Sequence, residues 1–493
     1  MPDPAGQAAD TVTGMTRIVI IGGGPAGYEA ALVAAQYGAE VTLIEDAGPG
    51  GSCVLYDCVP SKTFIASAGG RTAVREAGKL GIDIAPEDTS VDVAAVHGRV
   101  AGLATAQSAD IRARLMAEGV TIVDGRATLD DPAPGLAQHR VKIVSDDGSG
   151  PVESSVTADV VLIATGATPR VVPGCEPDGE RILTWRQVYA LTEFPEHLIV
   201  VGSGVTGAEF ASAYTEMGVK VTLVSSRDRV LPGEDADAAA VIEGVFAERG
   251  STLIKKSRAQ SVRREGEEVV VTITGGEQVR GSHVLMTVGS VPNTIGIGLE
   301  KVGIETGKGG FVEVDRVSRT SVPGIYAAGD CTGVLMLASV AAMQGRIAMW
   351  HALGEGVPPL KLNTVAANVF THPEIATVGA SQADAAETAS GSSRYHTLML
   401  PLVTNPRAKM SGLKQGFVKL MVLEPTGTVI GGVVVAPEAS ELILPIAIAV
   451  QNGLTAKDLA YSFSIYPSLS GSITELGRRL MFRNEKQDIQ TRS

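Results

Sequence analysis

The chain contains little of what marks several common classes of protein. Among its 493 residues, aromatic side chains make up 4% and only four residues are cysteine. Acidic residues outnumber basic ones, 54 to 41, and the resulting net charge of −13 makes nucleic acid or an anionic membrane an unsuitable partner. In a reducing cytoplasm, four cysteines do not suggest a structural disulfide framework. Without a second cysteine pair or a histidine cluster, the sequence predicts no metal site.

Long apolar runs are also missing. No segment reaches the roughly 18 consecutive apolar residues that a membrane helix needs, so we expect no membrane insertion. Residues 1–16 lack the basic start and apolar core of a secretory signal and are predicted to be a disordered leader. These features favour a cytoplasmic protein, in which a close cysteine pair is more typical of catalysis than of structural cross-linking.

Glycine, by contrast, is abundant at 58 residues, and one cluster follows the apolar segment that begins at Arg17. The pattern Gly22-x-Gly24-x-x-Gly27 lies between a predicted strand and a predicted Ala-rich helix. There it allows a tight turn, close approach of a pyrophosphate and close helix packing. Glu45 follows about 20 residues later, where a carboxylate can bind ribose hydroxyls. The segment therefore predicts a dinucleotide site; the alternative is a chance glycine turn.

The same design recurs at Gly202, Gly204 and Gly207, again between a predicted strand and helix. Two dinucleotide folds predict two dinucleotides, one a flavin and the other a nicotinamide. Between them lie a predicted helical stretch at about 85–118 and a β-rich stretch. From about residue 361 the pattern changes to hairpins and helices, which indicates an α+β end domain.

The choice of nicotinamide depends on the end of the second strand of the later motif. Ser225 and Ser226 stand where NAD sites usually carry an acidic residue, and Arg227 can meet a 2′-phosphate. Gly207 is the form of the third glycine often associated with NAD. We weigh the missing carboxylate more heavily, so the sequence predicts NADPH as the preferred donor and NADH as a usable one.

Taken in order, these motifs resemble the flavoprotein disulfide reductases, the class I pyridine nucleotide-disulfide oxidoreductases that include lipoamide dehydrogenase, glutathione reductase and mercuric reductase. The resemblance spans residues 17–482. Besides the two glycine motifs it rests on a Cys-x4-Cys-x-Pro-Ser-Lys segment at 53–62 and on "ATGATP", "TVGSVPN", "GIYAAGD" and "VFTHPEIATVG".

The resemblance implies an α/β fold with two Rossmann-like dinucleotide-binding domains, for FAD and NAD(P), and a C-terminal α+β dimerisation domain. The implied boundaries are 17–167 with 291–360 for the FAD domain, 168–290 for the NAD(P) domain, 361–482 for the interface domain, and 483–493 for a polar tail. The implied assembly is a homodimer whose active sites use both subunits; dimers could pair into tetramers.

The resemblance also implies roles for single residues. Cys53 would attack the substrate, Cys58 would lie against the flavin, and Lys62 would pair with Glu209 to organise the flavin edge; two surface charges are the alternative for that pair. Cys175 and Cys331 are expected to be structural. The predicted cofactor-binding residues are Gly22, Gly24, Gly27, Glu45, Gly51, Lys62, Thr165, Gly166, Gly202, Gly204, Gly207, Glu209, Ser225, Ser226, Arg227, Gly289, Gly329, Asp330 and Ala338.

One feature of the family is missing. Dithiol exchange needs general acid–base help at neutral pH, which typically contributes about 10²–10⁴-fold in rate. The family supplies it with a histidine before a proline and a glutamate five residues later. Tyr466 and Gly471 stand at these positions, and none of the seven histidines lies beyond His396. Tyrosine titrates near 10, so we expect disulfide reduction to be impaired.

Three functions compete on this evidence. The leading hypothesis is an FAD enzyme that passes electrons from NAD(P)H to quinones, and the segment "GGSCVLYDCVPSKTFIAS" resembles an actinobacterial quinone-reductase branch. The second is a dihydrolipoyl dehydrogenase-like disulfide reductase that uses Cys53, Cys58 and an unusual proton relay, with Tyr466 or water as the donor. The third is a redox-sensing flavoprotein without efficient turnover.

Overall fold

The computed structural model describes residues 15–84, 89–131, 138–146, 148, 150–382 and 395–491. The predicted leader therefore lies outside the described residues, except for Met15 and Thr16. By backbone contacts the chain divides into two compact units. The first unit is built from the described parts of 1–55, 106–168 and 291–360, and the second from those of 56–105, 169–290 and 361–493. The predicted domain boundaries are not tested by this division and stay a prediction.

The first unit is organised around a five-stranded parallel sheet. Its strand Arg17–Ile21 is apolar after the first residue and almost fully buried, as expected of a parallel strand covered on both faces. Helices Pro25–Gln36 and Ala338–Ala352 pack on each other, because Gly345 brings its backbone close to Ala26. The sheet has the order Ile325–Ala327, Val160–Ile163, Arg17–Ile21, Glu40–Glu45 and Thr121–Asp124. A smaller antiparallel sheet contains Arg126–Asp130, His139–Asp146 and Pro151–Ala158, and a short helix spans Leu299–Val302.

The second unit contains another five-stranded parallel sheet with the same kind of connections. Its strands, in spatial order, are Thr252–Ile254, Lys220–Val224, His197–Val201, His283–Met286 and Ile182–Thr184. Helices Val205–Glu216 and Ala236–Glu248 belong to it, and an antiparallel sheet follows with strands Ala259–Glu265, Glu268–Ile273 and Gln278–Gly281. Short strands Ala167–Pro169 and Ser290–Pro292 stand where the chain passes from one unit to the other.

The C-terminal part of the second unit has a different architecture. A five-stranded antiparallel sheet has the order Ala366–Val369, Glu374–Gly379, Val429–Ala436, Phe417–Leu423 and Tyr395–Pro401. Its helices are Pro406–Met410, Ala439–Leu442, Leu444–Asn452, Ala456–Tyr461 and Gly471–Thr491. Two parallel sheets and this α+β part confirm the predicted fold class. The backbone of the predicted polar tail continues the last helix as far as Thr491.

The segments between strands contain three further helices, at Gly51–Leu55, Cys58–Glu76 and Val93–Ala117. The last of these was predicted to span about 85–118 but begins later, because the Asp92 carboxylate accepts a hydrogen bond from the amide of Ala95 and caps the helix there. The two cysteines that were predicted to be structural, Cys175 and Cys331, are buried. Among the described helices, none combines the length and apolar character needed to cross a membrane.

Candidate active site

The carboxyl edge of the parallel sheet in the first unit collects most of the predicted flavin residues. Strand ends Ile21, Ile44, Ile163 and Ala327 lie in register across neighbouring strands. The residues that follow these ends are the first glycine turn, Glu45, the segment from Ala164 to Gly166, and the segment from Ala328 to Asp330. Ligands of open α/β sheets bind beyond the carboxyl ends of the strands, so the fold brings these residues to one dinucleotide-binding edge.

The first glycine turn has no room for side chains at two of its three positions. Gly22 has φ +104°, and a methyl group added there would lie 2.3 Å from the carbonyl oxygen of Ala164. A methyl group at Gly27 would lie 1.8 Å from the carbonyl oxygen of Gly22. At Gly24, which caps the helix without a side-chain hydrogen bond, nothing lies within 4 Å of such a methyl group. Open space at a helix N-terminus with unpaired amides fits a pyrophosphate.

Glu45 is held by the turn that it follows. One carboxylate oxygen accepts a hydrogen bond from the amide of Gly23 at 2.5 Å, and the other accepts one from the amide of Ala47 at 2.8 Å. Burial raises the pKa of Glu45, and the two amide hydrogen bonds offset this only in part. Each carboxylate oxygen keeps a further acceptor position, which fits a ribose hydroxyl.

The turn at residues 328–330 is held by Gln344, a residue that was not predicted from the sequence. This side chain is buried, accepts a hydrogen bond from the amide of Gly329 at 3.0 Å and lies 3.4 Å from the hydroxyl of Thr332. It thereby fixes the turn that presents Asp330. Ala338 begins the helix that carries Gln344. No local pattern marks a glutamine six residues into a helix as part of a nucleotide site.

The segment "ATG" at residues 164–166 is held by hydrogen bonds from Asn293, which directly follows the short strand Ser290–Pro292. The side-chain amide of Asn293 donates to the carbonyl oxygen of Thr165 at 2.9 Å, and the backbone amide of Asn293 donates to the carbonyl oxygen of Gly166 at 3.0 Å. Gly166 has φ +69°, which glycine adopts without strain. Asn293 ends the motif "TVGSVPN" but was not predicted as a site residue.

Cys53 lies in the short helix Gly51–Leu55, which abuts the first glycine turn. The amide of Gly50 donates to the carbonyl oxygen of Gly23 at 2.7 Å, and a methyl group at Gly51 would lie 2.9 Å from the Cα of Gly24. Gly51 has φ +55°. The fold therefore places Cys53 two residues from a backbone contact with the pyrophosphate turn. Tyr28, missed by sequence reasoning, has its pKa raised by burial, by Glu29 and by Cys53.

The second glycine turn repeats the geometry of the first. Gly202 has φ +115°, and an added methyl group would lie 2.3 Å from the carbonyl oxygen of Thr287. At Gly207 the methyl group would lie 1.9 Å from the carbonyl oxygen of Gly202, whereas at Gly204 nothing lies within 4 Å. The turn thus offers the same open helix N-terminus to a second pyrophosphate.

The residues predicted to bind the nicotinamide cofactor at the end of this domain's second strand and at Gly289 lie in different environments. Ser225 is 1% exposed, and its hydroxyl lies 2.6 Å from that of Ser203 and accepts a hydrogen bond from the amide of Arg227 at 3.1 Å. It therefore shapes the turn, while Ser226 and Arg227 are exposed on it. Gly289, with φ +90°, accepts a hydrogen bond from the amide of Arg170.

Lys62 and Glu209 are brought together although 147 residues separate them. Lys62 donates to one carboxylate oxygen of Glu209 at 2.8 Å, and the amide of Phe370 donates to the other at 2.9 Å. The Lys62 ammonium also lies 4.8 Å from the centre of the Phe370 ring. Cys58 begins the helix on which Lys62 lies one turn later.

Burial and charge act on this ion pair in opposite directions. Burial lowers the pKa of Lys62, but Glu209 and Cys58 raise it by more, so the ammonium stays charged. Beside it, burial raises the pKa of Asp57, against the opposing effect of Lys62. The Lys62 ammonium is therefore a fixed positive group near Cys58, and its counter-charge, Glu209, is almost fully buried on the helix of the second glycine turn.

A second carboxylate, Glu216, joins the same two helices and was not predicted from the sequence. It is 6% exposed and accepts hydrogen bonds from the hydroxyls of Thr72 at 2.9 Å and Ser212 at 3.1 Å. Arg249 lies 3.1 Å from it, and Arg71 donates to its backbone carbonyl oxygen. The helix that begins at Cys58 is thus fixed to the second glycine helix near both ends, by Lys62 and by Thr72.

Tyr466 lies in a loop between helices Ala456–Tyr461 and Gly471–Thr491. It is 82% exposed, precedes a cis peptide bond to Pro467, and shares the loop with the exposed side chains Phe463 and Ile465. Gly471 starts the following helix, where its amide donates to the hydroxyl of Ser468 at 3.2 Å. This loop therefore contains no imidazole and no carboxylate. Across the described ranges, no three His, Cys, Asp or Glu side chains form a group that could hold a metal.

Comparison with known proteins identifies the family. The pattern of the pyridine nucleotide-disulphide oxidoreductases matches residues 16–345, and that of their dimerisation domain matches residues 365–476. The chain belongs to this family. Its members are FAD-dependent oxidoreductases of pyridine nucleotides. The resemblance predicted from the motifs is therefore confirmed, and so is the prediction of an oxidoreductase.

Individual members of the family differ in how similar they are to this chain. An NAD(P)H dehydrogenase (quinone) of Mycobacterium tuberculosis is 62% identical over 476 residues, which cover 96% of this chain and 95% of the relative. A dihydrolipoyl dehydrogenase of Chlorobaculum tepidum is 33% identical over 95% of this chain and 98% of its own length. The crystal structure of LpdA from Mycobacterium tuberculosis has a TM-score of 0.90 at 61% identity, covering 95% of this chain and 100% of that one.

Proposed function

We propose that this chain is a homodimeric FAD enzyme that passes two electrons from NADPH, and less readily from NADH, to quinone-type acceptors in the cytoplasm. In the overall reaction NADPH, a quinone and one proton give NADP⁺ and a hydroquinone. When bound, FAD would accept hydride from the nicotinamide and release electrons to the acceptor. The homodimer is supported by the dimerisation domain at residues 365–476.

The residues of the two glycine turns fit two dinucleotides. For FAD, Gly24 leaves space and amides for the pyrophosphate, Glu45 offers acceptors to the ribose, and Asp330 follows the neighbouring strand at the same sheet edge. For the nicotinamide cofactor, Gly204 leaves equivalent space at the second helix. The predicted role of Lys62 and Glu209 at the flavin edge is part of this proposal.

The observation that carries the choice of acceptor is the composition of the loop at residues 462–471. Thiol exchange needs a positioned proton donor and acceptor, and this loop presents only hydroxyl, aromatic and aliphatic side chains there. A quinone needs no thiol exchange, because it takes electrons directly and its proton can come from water. The relative that is 62% identical is named an NAD(P)H dehydrogenase (quinone), which supports the same acceptor.

The preference for NADPH is supported by the residues that follow the strand Lys220–Val224. A carboxylate at this position would repel a 2′-phosphate, and the position is held by the uncharged Ser225. Arg227, exposed two residues later, carries a permanent positive charge that suits a phosphate. Both features favour NADPH over NADH.

The decisive experiment compares wild type with Cys53→Ser and Cys58→Ser. If electrons reach the quinone without passing through the dithiol, Cys53→Ser keeps NADPH–benzoquinone turnover within a few-fold of wild type, and Cys58→Ser also keeps turnover while its flavin spectrum can change. Steady-state quinone reduction is measured beside stopped-flow flavin reduction. Loss of quinone turnover in Cys53→Ser with intact flavin reduction would contradict the proposal and favour the disulfide reductase.

A second experiment tests whether the missing imidazole and carboxylate impair disulfide reduction. Tyr466→His combined with Gly471→Glu introduces an imidazole and a carboxylate at the loop, so turnover with lipoamide or glutathione disulfide is expected to rise. General acid–base groups contribute about 10²–10⁴-fold, which sets the upper limit of the gain. Each single substitution serves as a control and is expected to give less. An unchanged rate in the double variant would show that proton transfer is not the missing element.

A further inference from the structure

Beyond the strand that ends at Ser225, the neighbouring strand Thr252–Ile254 also ends at the carboxyl edge of the second parallel sheet. The two strands pair in parallel, with Val224 opposite Ile254. Backbone hydrogen bonds continue past both strand ends: Ser225 donates to Ile254 at 2.7 Å, and Ser257 donates to Ser225 at 2.9 Å. Backbone hydrogen bonds therefore join the loop that follows Val224 to the loop that follows Ile254.

This pairing brings together two cationic residues. The amide of Lys256 donates to the carbonyl oxygen of Arg227 at 2.8 Å, and both residues are exposed. Lys255, by contrast, pairs with Glu243 at 2.6 Å, and Arg229 donates to the carbonyl oxygens of Pro232 and Glu234. Within the described parts of the chain, no carboxylate forms an ion pair with Arg227 or Lys256.

Lys256 also has an unusual backbone conformation. Its φ of +54° lies in the left-handed region, which costs free energy for any residue with a Cβ and is favoured by glycine. Strained backbone is concentrated at functional sites, where surrounding contacts hold it. Here the contact that holds it is the hydrogen bond to Arg227.

We propose that Lys256 and Arg227 together bind the 2′-phosphate of the nicotinamide nucleotide, so that Lys256 is a specificity-determining residue supplied by a neighbouring strand. This inference rests on the proposed use of NADPH. One cation would be weakly selective, since the exposed carboxylate of Asp228 follows Arg227 directly on the same turn. A second cation on the opposite loop outweighs that carboxylate and matches the double charge of a phosphate monoester.

The test measures binding to the flavin-loaded enzyme by calorimetry, with 2′,5′-ADP and ADP as the two probes. Lys256→Gly removes the ammonium and suits the positive φ, so the fold is expected to be retained. We expect affinity for 2′,5′-ADP to fall about ten-fold, the size of a lost charge-assisted contact, and affinity for ADP to change less than two-fold. Lys255→Ala, which changes the adjacent paired lysine, is the matched control and should leave both affinities unchanged.

Salt concentration gives a second readout. The difference between wild type and Lys256→Gly in 2′,5′-ADP affinity should shrink as ionic strength rises, because an exposed charge pair is screened. Equal losses for both probes, or no loss for either, would overturn the role of Lys256. If Arg227→Ala loses the preference and Lys256→Gly keeps it, this inference fails while the proposed NADPH preference stands. If wild type binds both probes equally, the NADPH preference itself fails, and this inference with it.

Discussion

The two glycine turns of this chain differ mainly at two positions, the second residue of the turn and the residue at the end of the following strand. Both have a first glycine with positive φ and a second glycine with open space, and in both a methyl group added at the third glycine would lie within 2 Å of the first one's carbonyl oxygen. In the first turn, the second residue is Gly23 and the following strand ends in Glu45. In the second turn, these residues are Ser203 and Ser225.

The difference shows that these two positions depend on each other. A methyl group on Gly23 would lie 3.1 Å from the side chain of Glu45, tighter than ordinary contact, so a long carboxylate there needs glycine in the turn. In the second turn, Ser203 has a side chain and its partner is the short Ser225, with their hydroxyls 2.6 Å apart. The same backbone therefore supports either a carboxylate or a pair of hydroxyls, but not a simple exchange of one residue.

The strongest test of the comparison is to block each turn separately with valine. Gly24 and Gly204 both have extended backbone and open space, so valine fits the fold but occupies the room that a pyrophosphate needs. Gly24→Val is expected to purify without flavin, whereas Gly204→Val should be yellow and fail to bind the nicotinamide nucleotide. Flavin absorbance and calorimetry with 2′,5′-ADP measure the two outcomes. A fully flavinylated Gly24→Val protein would refute the assignment of the first turn.

A smaller but more specific effect is expected from rebuilding the first arrangement in the second turn. Ser203→Gly with Ser225→Glu should favour NADH over NADPH, because the carboxylate repels a 2′-phosphate and accepts from the ribose. A charged hydrogen bond contributes about 1.5–3 kcal/mol, which corresponds to about 10–100-fold in the ratio of kcat/KM values. Ser225→Glu alone is the control, and it should be destabilised because Ser203 occupies the space of the longer side chain. A single variant that switches as well as the double one would disprove the dependence.

The smallest expected effect is on the pH dependence of stability. Burial raises the pKa of Glu45 above its ordinary value of 4.5, so as pH rises the unfolded chain loses this proton before the folded one does. The free energy of unfolding of wild type therefore falls as pH rises from about 4.5 to the pKa of Glu45 in the folded chain. Glu45→Gln has no carboxyl group at this position and lacks this contribution. The melting temperature of the variant relative to that of wild type should therefore be higher at pH 7 than at pH 4.5. Ser225→Ala should show no such shift between the two pH values.

The sequence predicted best what depends on backbone geometry. The glycine spacing predicted both turns, since positive φ and close packing leave no alternative to Gly22, Gly27, Gly202 or Gly207. The apolar strands predicted the two parallel sheets. The pairing of Lys62 with Glu209 followed from the family resemblance alone, because nothing in either segment indicates a partner 147 residues away.

What the sequence could not predict are contacts between side chains and distant segments. Ser225 was predicted to bind the nicotinamide cofactor, and its burial and its hydrogen bond to Ser203 were not predicted, because burial of a single serine has no local pattern. Gln344 and Glu216 lie inside helices with ordinary sequences, and their importance comes from the turns and helices packed against them. Lys256 follows another lysine, and the two differ in backbone conformation and in the ion pair that Lys255 makes with Glu243.

The mutual dependence of the turn residue and the strand-end residue has an evolutionary consequence. If the two nucleotide domains arose by duplication, a change of cofactor in one copy required substitutions at both positions. A glutamate gained opposite a serine would crowd the turn, and a carboxylate shortened to serine opposite a glycine would leave the Gly23-type amide without its acceptor. Either single-substitution intermediate would be less fit than the Gly/Glu and Ser/Ser arrangements on both sides of it. Cofactor preference in such a domain should therefore be inherited as a pair of residues and should seldom revert.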